Sequence, residues 1–235
     1  MPEIEVQNLN KYFGRRQVLK NLDFSIEKGA FLSIFGPNGA GKTTLVKILS
    51  TLERPTDGTV KIGDIVMGDD PTQIRKRIGL ISHSPLLYLD LSAYENLEFY
   101  GTLYGVDNLK ARAEALLEQV ELTHRRHDLV RTFSKGMQQR LAIARALIHQ
   151  PSILFLDEPY SGLDPHAVDI LDSLVASIRG DHTFIMVSHN LEKGLSLCST
   201  AMIIEAGRII FFEDKKDIDV DEFQQVYRQA VKGEL

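Results

Sequence analysis

The stretch GPNGAGKTT, which runs from Gly36 to Thr44, decides the fold of this 235-residue chain. It meets the pattern G-x-x-x-x-G-K-[ST] in full, and it follows the strand-like apolar run Phe31–Phe35. The apolar residues after it recur at helical spacing. A glycine-rich turn between a buried strand and a helix suits a phosphate, because backbone N–H groups converge there beside the positive end of the helix dipole. The sequence therefore predicts a phosphate loop made of Gly36, Pro37, Asn38, Gly39, Ala40, Gly41, Lys42, Thr43 and Thr44.

Composition narrows the class of protein. Hydrophobic residues make up 43% of the chain and charged residues 25%, which is ordinary for a globular protein, and the net charge of −5 gives no reason to expect a nucleic-acid partner. The single cysteine, Cys198, fits a reducing compartment and a small core residue. No apolar run is long enough to span a membrane and the N-terminus lacks the features of a signal peptide. We therefore expect a cytoplasmic protein that reaches a membrane only through a partner.

Apolar runs along the chain predict strands at both ends and helices in the middle. The predicted strands are Ile4–Leu9, Leu22–Ile26, Phe31–Phe35, Thr59–Ile62, Ile65–Met67, Ile78–Ser82, Ser152–Asp157, Thr183–His189 and a hairpin that turns at Ala206–Gly207. A helix is predicted around Leu45–Leu52, and helical spacing dominates from Ala93 to Gln150, where Leu97, Tyr100, Leu103 and Tyr104 would share one face.

This order predicts one α/β domain over residues 1–235. A P-loop NTPase core, with a mixed sheet and flanking helices, takes residues 1–82 and 152–213 and includes an N-terminal antiparallel β segment. Residues 83–151 form an inserted helical subdomain. Residues 214–235 form a helical tail that faces inward through Phe223, Val226, Tyr227 and Ala230.

A second group of residues completes the predicted site. Asp157 ends the apolar strand in ILFLDEPYSGLD, where its carboxylate could reach a Mg²⁺ ion held by Thr43. Glu158 follows it and could polarise an attacking water molecule. Ser134, Lys135 and Gly136 precede the helical run MQQRLAIARALIHQ, so this helix start is either a second phosphate-binding end or an ordinary capped helix.

These motifs, taken in order, resemble the nucleotide-binding subunit of an ABC (ATP-binding cassette) transporter over nearly the whole chain. The matching segments are the phosphate loop at Gly36–Thr44, the signature motif at Thr132–Arg140, the Walker B segment at Ile153–Glu158, the D-loop at Ser161–Asp164 and the switch histidine His189. Five motifs in this order are far more specific than any one of them.

The resemblance implies a Mg²⁺-dependent ATPase that works as a homodimer. Lys42, Glu158 and His189 would be catalytic, and Thr43 and Asp157 would hold the metal ion. The signature residues Ser134, Gly136 and Met137 would contact the ATP bound to the second copy. An aromatic residue before a glycine would stack on adenine, and here Phe13 is the first choice and Tyr12 the second.

The chain departs from the family pattern at two places. Where the family usually has a glutamine that touches both Mg²⁺ and the membrane-coupling surface, this chain has His83, which could bind the metal only as a neutral imidazole. The signature reads Lys135-Gly136-Met137, so it lacks one glycine and the glutamine of the usual motif. Neither change removes a group needed for hydrolysis, and we still expect an active enzyme.

The resemblance also implies a partner. An integral membrane transporter subunit would contact the stretch SPLLYLDLSAYENL after His83 and place this chain on the cytoplasmic face of the inner (plasma) membrane. The segment from Ile78 to Val106 resembles small exporter ATPases, including the haem-exporter type of cytochrome c maturation. The alternative is a soluble ABC-type ATPase in metal-cluster assembly. DNA-repair and translation-factor ATPases are disfavoured, because they carry coiled-coil insertions or two cassettes.

Overall fold

The computed structural model describes residues 2–82 and 84–232. The prediction for His83 therefore lies outside the described residues. The strands are β1 (Pro2–Phe13), β2 (Arg16–Glu27), β3 (Phe31–Phe35), β4 (Asp57–Ile62), β5 (Ile65–Val66), β6 (Ile78–Ile81), β7 (Ile153–Asp157), β8 (Thr183–Val187), β9 (Thr200–Glu205) and β10 (Arg208–Asp214). The helices are α1 (Lys42–Leu49), α2 (Pro71–Arg77), α3 (Ala93–Tyr104), α4 (Leu109–Gln119), α5 (Lys135–Leu147), α6 (Pro165–Ile178), α7 (Leu191–Leu197) and α8 (Val220–Lys232).

The described strands form two sheets. An antiparallel sheet has the order β2-β1-β4-β5, and a mixed six-stranded sheet has the order β10-β9-β3-β8-β7-β6. In the larger sheet all neighbouring strands run parallel except the β9–β10 hairpin. The predicted antiparallel N-terminal segment, α/β core and helical insertion are all present. The exact domain boundaries remain predictions.

The central strands β3, β7 and β8 of the larger sheet are buried at every position because both of their faces are covered. In β7, Ile153 and Phe155 pack with α1 and the antiparallel sheet, whereas Leu154 and Leu156 pack with the helical part of the chain and α8. The two hydrophobic cores thus pack against opposite faces of the sheet. This packing holds in place the edge at which the parallel strands end.

Several local predictions needed correction. Helix α1 starts at Lys42 and ends at Leu49, so Leu52 lies outside it and is 59% exposed. Thr51, with φ 62°, has already left the helical conformation. Leu103 does not share the buried face of α3, because its side chain is 67% exposed. Strands β1 and β2 each have 12 residues and are longer than predicted, and helix α2 was not predicted at all.

Helix α8 packs against the hydrophobic core that contains Leu154, Leu156 and the helical part of the chain. Phe223 and Ala230 are buried, and Val226 and Tyr227 pack against the same cluster, as the apolar spacing predicted. The Phe223 ring lies edge-on to that of Phe35, the last residue of β3, with the ring centroids 5.4 Å apart.

Across residues 2–82 and 84–232, no helix combines the length and the apolar content that crossing a membrane requires.

Candidate nucleotide site

Three adjacent strands bring the candidate residues to one edge of the larger sheet. In the order β3-β8-β7, Ile34 pairs with Val187 and Val187 pairs with Asp157. The phosphate loop follows β3, His189 follows β8, and Glu158 follows β7. Because parallel strands end at the same edge, residues far apart in sequence are gathered there.

Close packing shapes the phosphate loop. Gly36 has φ 145°, and a Cβ atom there would lie 2.1 Å from the carbonyl oxygen of Ile204 in β9. Gly41 has φ 110°, and a Cβ atom there would lie 2.7 Å from Cδ2 of Leu19. Both backbone conformations favour glycine, and at Gly36 the backbone of Ile204 also leaves no space for a side chain.

Lys42 is held inside the loop. Its side chain is 5% exposed, and Nζ donates hydrogen bonds to the carbonyl oxygens of Gly36 at 2.7 Å and Pro37 at 2.9 Å. Burial lowers the pKa of Lys42, while the carboxylates of Glu158 and Asp157 oppose that shift. An ammonium group in this position can neutralise an anion bound by the loop.

Thr43 and Asp157 meet at the start of α1. The Thr43 hydroxyl donates to Oδ1 of Asp157 at 3.3 Å. Burial raises the pKa of Asp157; the hydrogen bond from Thr43 works against this, and the nearby Glu158 adds to it. A buried carboxylate with a raised pKa favours a cation beside it.

Glu158 and His189 form a pair beside the loop. Oε1 of Glu158 lies 2.8 Å from Nε2 of His189. Glu158 has φ 53°, and its N–H donates to the carbonyl oxygen of Val187 at 3.1 Å. A left-handed backbone at a glutamate is costly and persists only when its surroundings hold it. The fold therefore fixes this carboxylate next to the imidazole.

One open pocket joins these parts. Its volume is about 330 Å³, and it is lined by Phe13, Arg16, Val18, Asn38, Gly39, Gly41, Lys42, Thr43, Thr44, Glu158 and His189. Phe13 is 49% exposed, and Nζ of Lys11 lies 4.7 Å from its ring centroid. Tyr12, the second choice for adenine stacking, is not a lining residue. Arg16 and Val18 were missed, although their place on the β1–β2 hairpin beside Phe13 could have indicated them.

The signature residues lie elsewhere in the chain and do not line this pocket. Ser134 is the N-cap of α5, and its Oγ accepts a hydrogen bond from the backbone N–H of Met137 at 3.2 Å. Gly136 lies close to α6, since a Cβ atom there would be 2.6 Å from Oδ2 of Asp164. Within one copy, the phosphate loop and the start of α5 thus do not share a pocket.

An exposed apolar surface follows β6. Leu86, Tyr88, Leu89, Phe99 and Leu103 are each at least 41% exposed, and we call this set the aromatic ridge. The rings of Tyr88 and Phe99 meet edge-on at 4.8 Å. Large exposed apolar patches commonly mark interaction sites. Unlike its neighbours, Leu87 packs against the core.

Comparison with known proteins identifies the family. The profile of the family described as "ABC transporter" matches residues 19–161. The chain is 36% identical to the linearmycin resistance ATP-binding protein LnrL of Bacillus subtilis over 218 residues, which is 92% of this chain and 70% of that protein. It is 37% identical to the daunorubicin resistance ATP-binding protein DrrA3 of Streptomyces coeruleorubidus over 210 residues, which is 88% of this chain and 66% of that protein. The chain spans about two-thirds of the length of these two relatives.

Solved structures agree. A structure of the ATP-binding subunit of an ABC transporter superposes with a TM-score of 0.85 at 26% identity, covering 97% of this chain and 94% of that one. A dimeric ATP-binding cassette in a post-hydrolysis state, bound to ADP and Pi, superposes with a TM-score of 0.82 at 28% identity, covering 92% of this chain and 100% of that one. These findings confirm the resemblance: the chain belongs to the ABC transporter family and is an ATP-binding ATPase of that family.

Proposed function

We propose that this ATPase hydrolyses ATP at a site shared by two copies of the chain and thereby powers export through a membrane partner. The observation that carries the proposal is the arrangement at one sheet edge. There, the Thr43 hydroxyl lies 3.3 Å from Oδ1 of Asp157, and Oε1 of Glu158 lies 2.8 Å from Nε2 of His189. Lys42 and the phosphate loop lie beside them.

The oxygen atoms present fit a Mg²⁺ ion. Mg²⁺ binds oxygen ligands at about 2.0–2.1 Å in octahedral geometry, so two adjacent ligands lie about 3 Å apart. The Thr43 hydroxyl and the Asp157 carboxylate are separated by 3.3 Å. Mg²⁺ commonly takes only one or two protein ligands together with phosphate oxygens and water. Thr43 and Asp157 would hold the ion, which would neutralise charge on the phosphates.

The remaining residues position the reaction. Lys42 and the loop N–H groups would bind the β- and γ-phosphates, and Glu158 would orient or deprotonate the attacking water. His189 would hold Glu158 and the γ-phosphate in place, since its imidazole already lies 2.8 Å from the carboxylate. Phe13, exposed at the mouth of the pocket, would stack on adenine.

Two copies would complete each site. The start of α5 presents the positive end of its dipole, with Ser134, Gly136 and Met137 at its first turn. These groups do not line the pocket of their own chain. A two-fold dimer would place them against the ATP of the other copy, so that ATP joins both subunits.

The membrane partner would bind the aromatic ridge. Its exposed rings and leucines suit an apolar groove or helix, and ATP-driven closure of the dimer would move that partner. Such a contact would place the chain at the cytoplasmic face of the inner (plasma) membrane. The relatives named for drug resistance, and a Nod factor export ATP-binding protein I of Cupriavidus metallidurans at 35% identity over 210 residues, support export over metal-cluster assembly. The cytochrome c maturation type stays a prediction.

Phosphate release from ATP tests the catalytic part. We expect Mg²⁺-dependent hydrolysis that falls by orders of magnitude in Glu158→Gln while ATP binding persists. The matched control is Glu192→Gln, which makes the same change at an exposed glutamate in the first turn of α7 and should hydrolyse normally. Equal rates in the two variants would remove Glu158 from its role.

A further inference from the structure

Three polar side chains from three different segments meet beside the site but outside its pocket. The Tyr160 hydroxyl donates to Oδ1 of Asp172 at 2.8 Å, and Nζ of Lys193 donates to Oδ2 of the same carboxylate at 2.6 Å. Lys193 Nζ also lies 5.2 Å from the centroid of the Tyr160 ring. We call these residues the Asp172 network. None of them lines the nucleotide pocket.

Each partner of Asp172 belongs to a segment that carries one member of the Glu158–His189 pair. Tyr160 lies two residues after Glu158, in a turn closed by the hydrogen bond from Ser161 N–H to the Glu158 carbonyl at 3.0 Å. Lys193 lies in the first turn of α7, and its backbone N–H donates to Oδ1 of the N-cap residue Asn190 at 2.9 Å. Asn190 directly follows His189. Asp172, on α6, is thus a common anchor for both segments.

The chemistry of the two partners strengthens their hydrogen bonds to Asp172. Burial raises the pKa of the Tyr160 hydroxyl far above its usual range, and the hydrogen bond to Asp172 raises it further. Tyr160 therefore stays protonated and always donates. The side chains of Lys193 and Asp172 are only 30% and 33% exposed, so their hydrogen bond is charge-assisted and partly shielded from water.

The backbone of Glu158 has a strained conformation that needs support from the surrounding structure. With φ 53°, Glu158 has a conformation that an unsupported glutamate would leave. The Glu158 N–H is bonded to the Val187 carbonyl, and the Tyr160 hydroxyl adds a side-chain hydrogen bond from the same turn to the middle of α6. Loss of the Tyr160 hydrogen bond would let the carboxylate shift away from the imidazole.

We propose that Asp172 is a positioning residue for ATP hydrolysis, which keeps Glu158 and His189 at their 2.8 Å separation through Tyr160 and Lys193. The inference rests on the proposed roles of Glu158 and His189. Because the network does not touch the pocket, it acts on the rate of hydrolysis and not on ATP affinity.

The test measures kcat, KM and ATP affinity for Asp172→Ala and Tyr160→Phe. We expect kcat to fall about tenfold or more, since misplacing a catalytic group by about 1 Å can cost that much, while KM and ATP affinity stay within about twofold. The matched control is Asp169→Ala, which makes the same change at an exposed carboxylate on the same helix and should behave as the unaltered chain.

A double-mutant cycle separates positioning from general destabilisation. If Tyr160 acts by positioning Glu158, Tyr160→Phe added to Glu158→Gln slows the residual hydrolysis no further than Glu158→Gln alone. Independent, multiplying losses would overturn the inference. So would a normal kcat in Tyr160→Phe, which removes a single oxygen atom and carries the test if Asp172→Ala fails to fold.

The rate of Glu158→Gln, measured alongside, distinguishes a failure of the Asp172 network proposal from a failure of the proposed role of Glu158. A slow Glu158→Gln variant with normal hydrolysis in Tyr160→Phe would refute only the role of the Asp172 network. A normal rate in Glu158→Gln would refute the proposed function of Glu158 itself, whatever the network variants do.

Discussion

Gly36 lies where the phosphate loop passes closest to strand β9. Replacing it with alanine would place Cβ 2.1 Å from the carbonyl oxygen of Ile204, a backbone atom inside the sheet that cannot rotate away. The φ of 145° adds a conformation that only glycine adopts readily. We expect about 1–3 kcal/mol from the backbone conformation and about 1–3 kcal/mol from the overlap. Gly36→Ala should therefore lower the free energy of unfolding by about 4 kcal/mol.

Gly39 in the same loop provides the control. Its φ is 79°, but a Cβ atom there would have no neighbour within 4 Å, so Gly39→Ala should cost only about 1–2 kcal/mol. The assay is thermal unfolding without nucleotide. In a chain of this size, 1 kcal/mol corresponds to about 2–4 °C, and Gly36→Ala should melt about 5–10 °C below Gly39→Ala. Equal melting temperatures would refute the claim that contact with β9 shapes the loop.

Three further predictions concern the site and its surroundings. Asp157→Asn should abolish hydrolysis yet raise the melting temperature of the nucleotide-free chain by about 2 °C, because a buried charge is removed. Phe13→Ala should weaken ATP binding about tenfold, measured by calorimetry, while Tyr12→Ala changes it little. Burial, assisted by two arginines, lowers the pKa of His149, so its contribution to stability is present above about pH 6.5 and is lost as the pH falls further. The melting temperature should therefore drop less on acidification in His149→Gln.

Distinct results would contradict these three predictions. A lower melting temperature for Asp157→Asn would mean that the carboxylate stabilises the fold without a cation. A larger loss of ATP affinity in Tyr12→Ala than in Phe13→Ala would reverse the choice of stacking residue. Parallel melting curves across the acid range for His149→Gln and the unaltered chain would remove His149 from the pH response.

The phosphate loop could be predicted from sequence because its chemistry is local. The nine consecutive residues Gly36–Thr44 contain the glycines of the turn, the lysine and the start of the helix. The strand before them is buried at every position. Asp157 and Glu158 were also predicted as site residues, from their place at the end of a buried strand. Their meeting with Thr43 and His189 follows from the parallel strand order, which the alternation of strands and helices already favoured.

Other features depend on contacts between distant segments and left no local signal. Leu103 lies at helical spacing from Tyr100, but six positions after Leu97 it is turned about 240° around α3 from that buried residue, and it is 67% exposed. The Asp172 network joins residues 12 and 21 positions apart, and an Asp on one helix with a Lys on another is usually a solvated surface pair. Arg16 differs from these cases, because its place beside Phe13 on the β1–β2 hairpin was a local signal that could have indicated it.

The mass in solution of Glu158→Gln with Mg²⁺ and ATP shows whether two copies share the nucleotide. We expect a dimer with ATP and a monomer with ADP, because the phosphate loop of one copy and the α5 start of the other bind the same triphosphate. Adding Ser134→Glu, which places a negative charge at that helix start, should abolish the dimer while each monomer still binds ATP. A monomer with ATP, or a dimer unaffected by Ser134→Glu, would contradict the account.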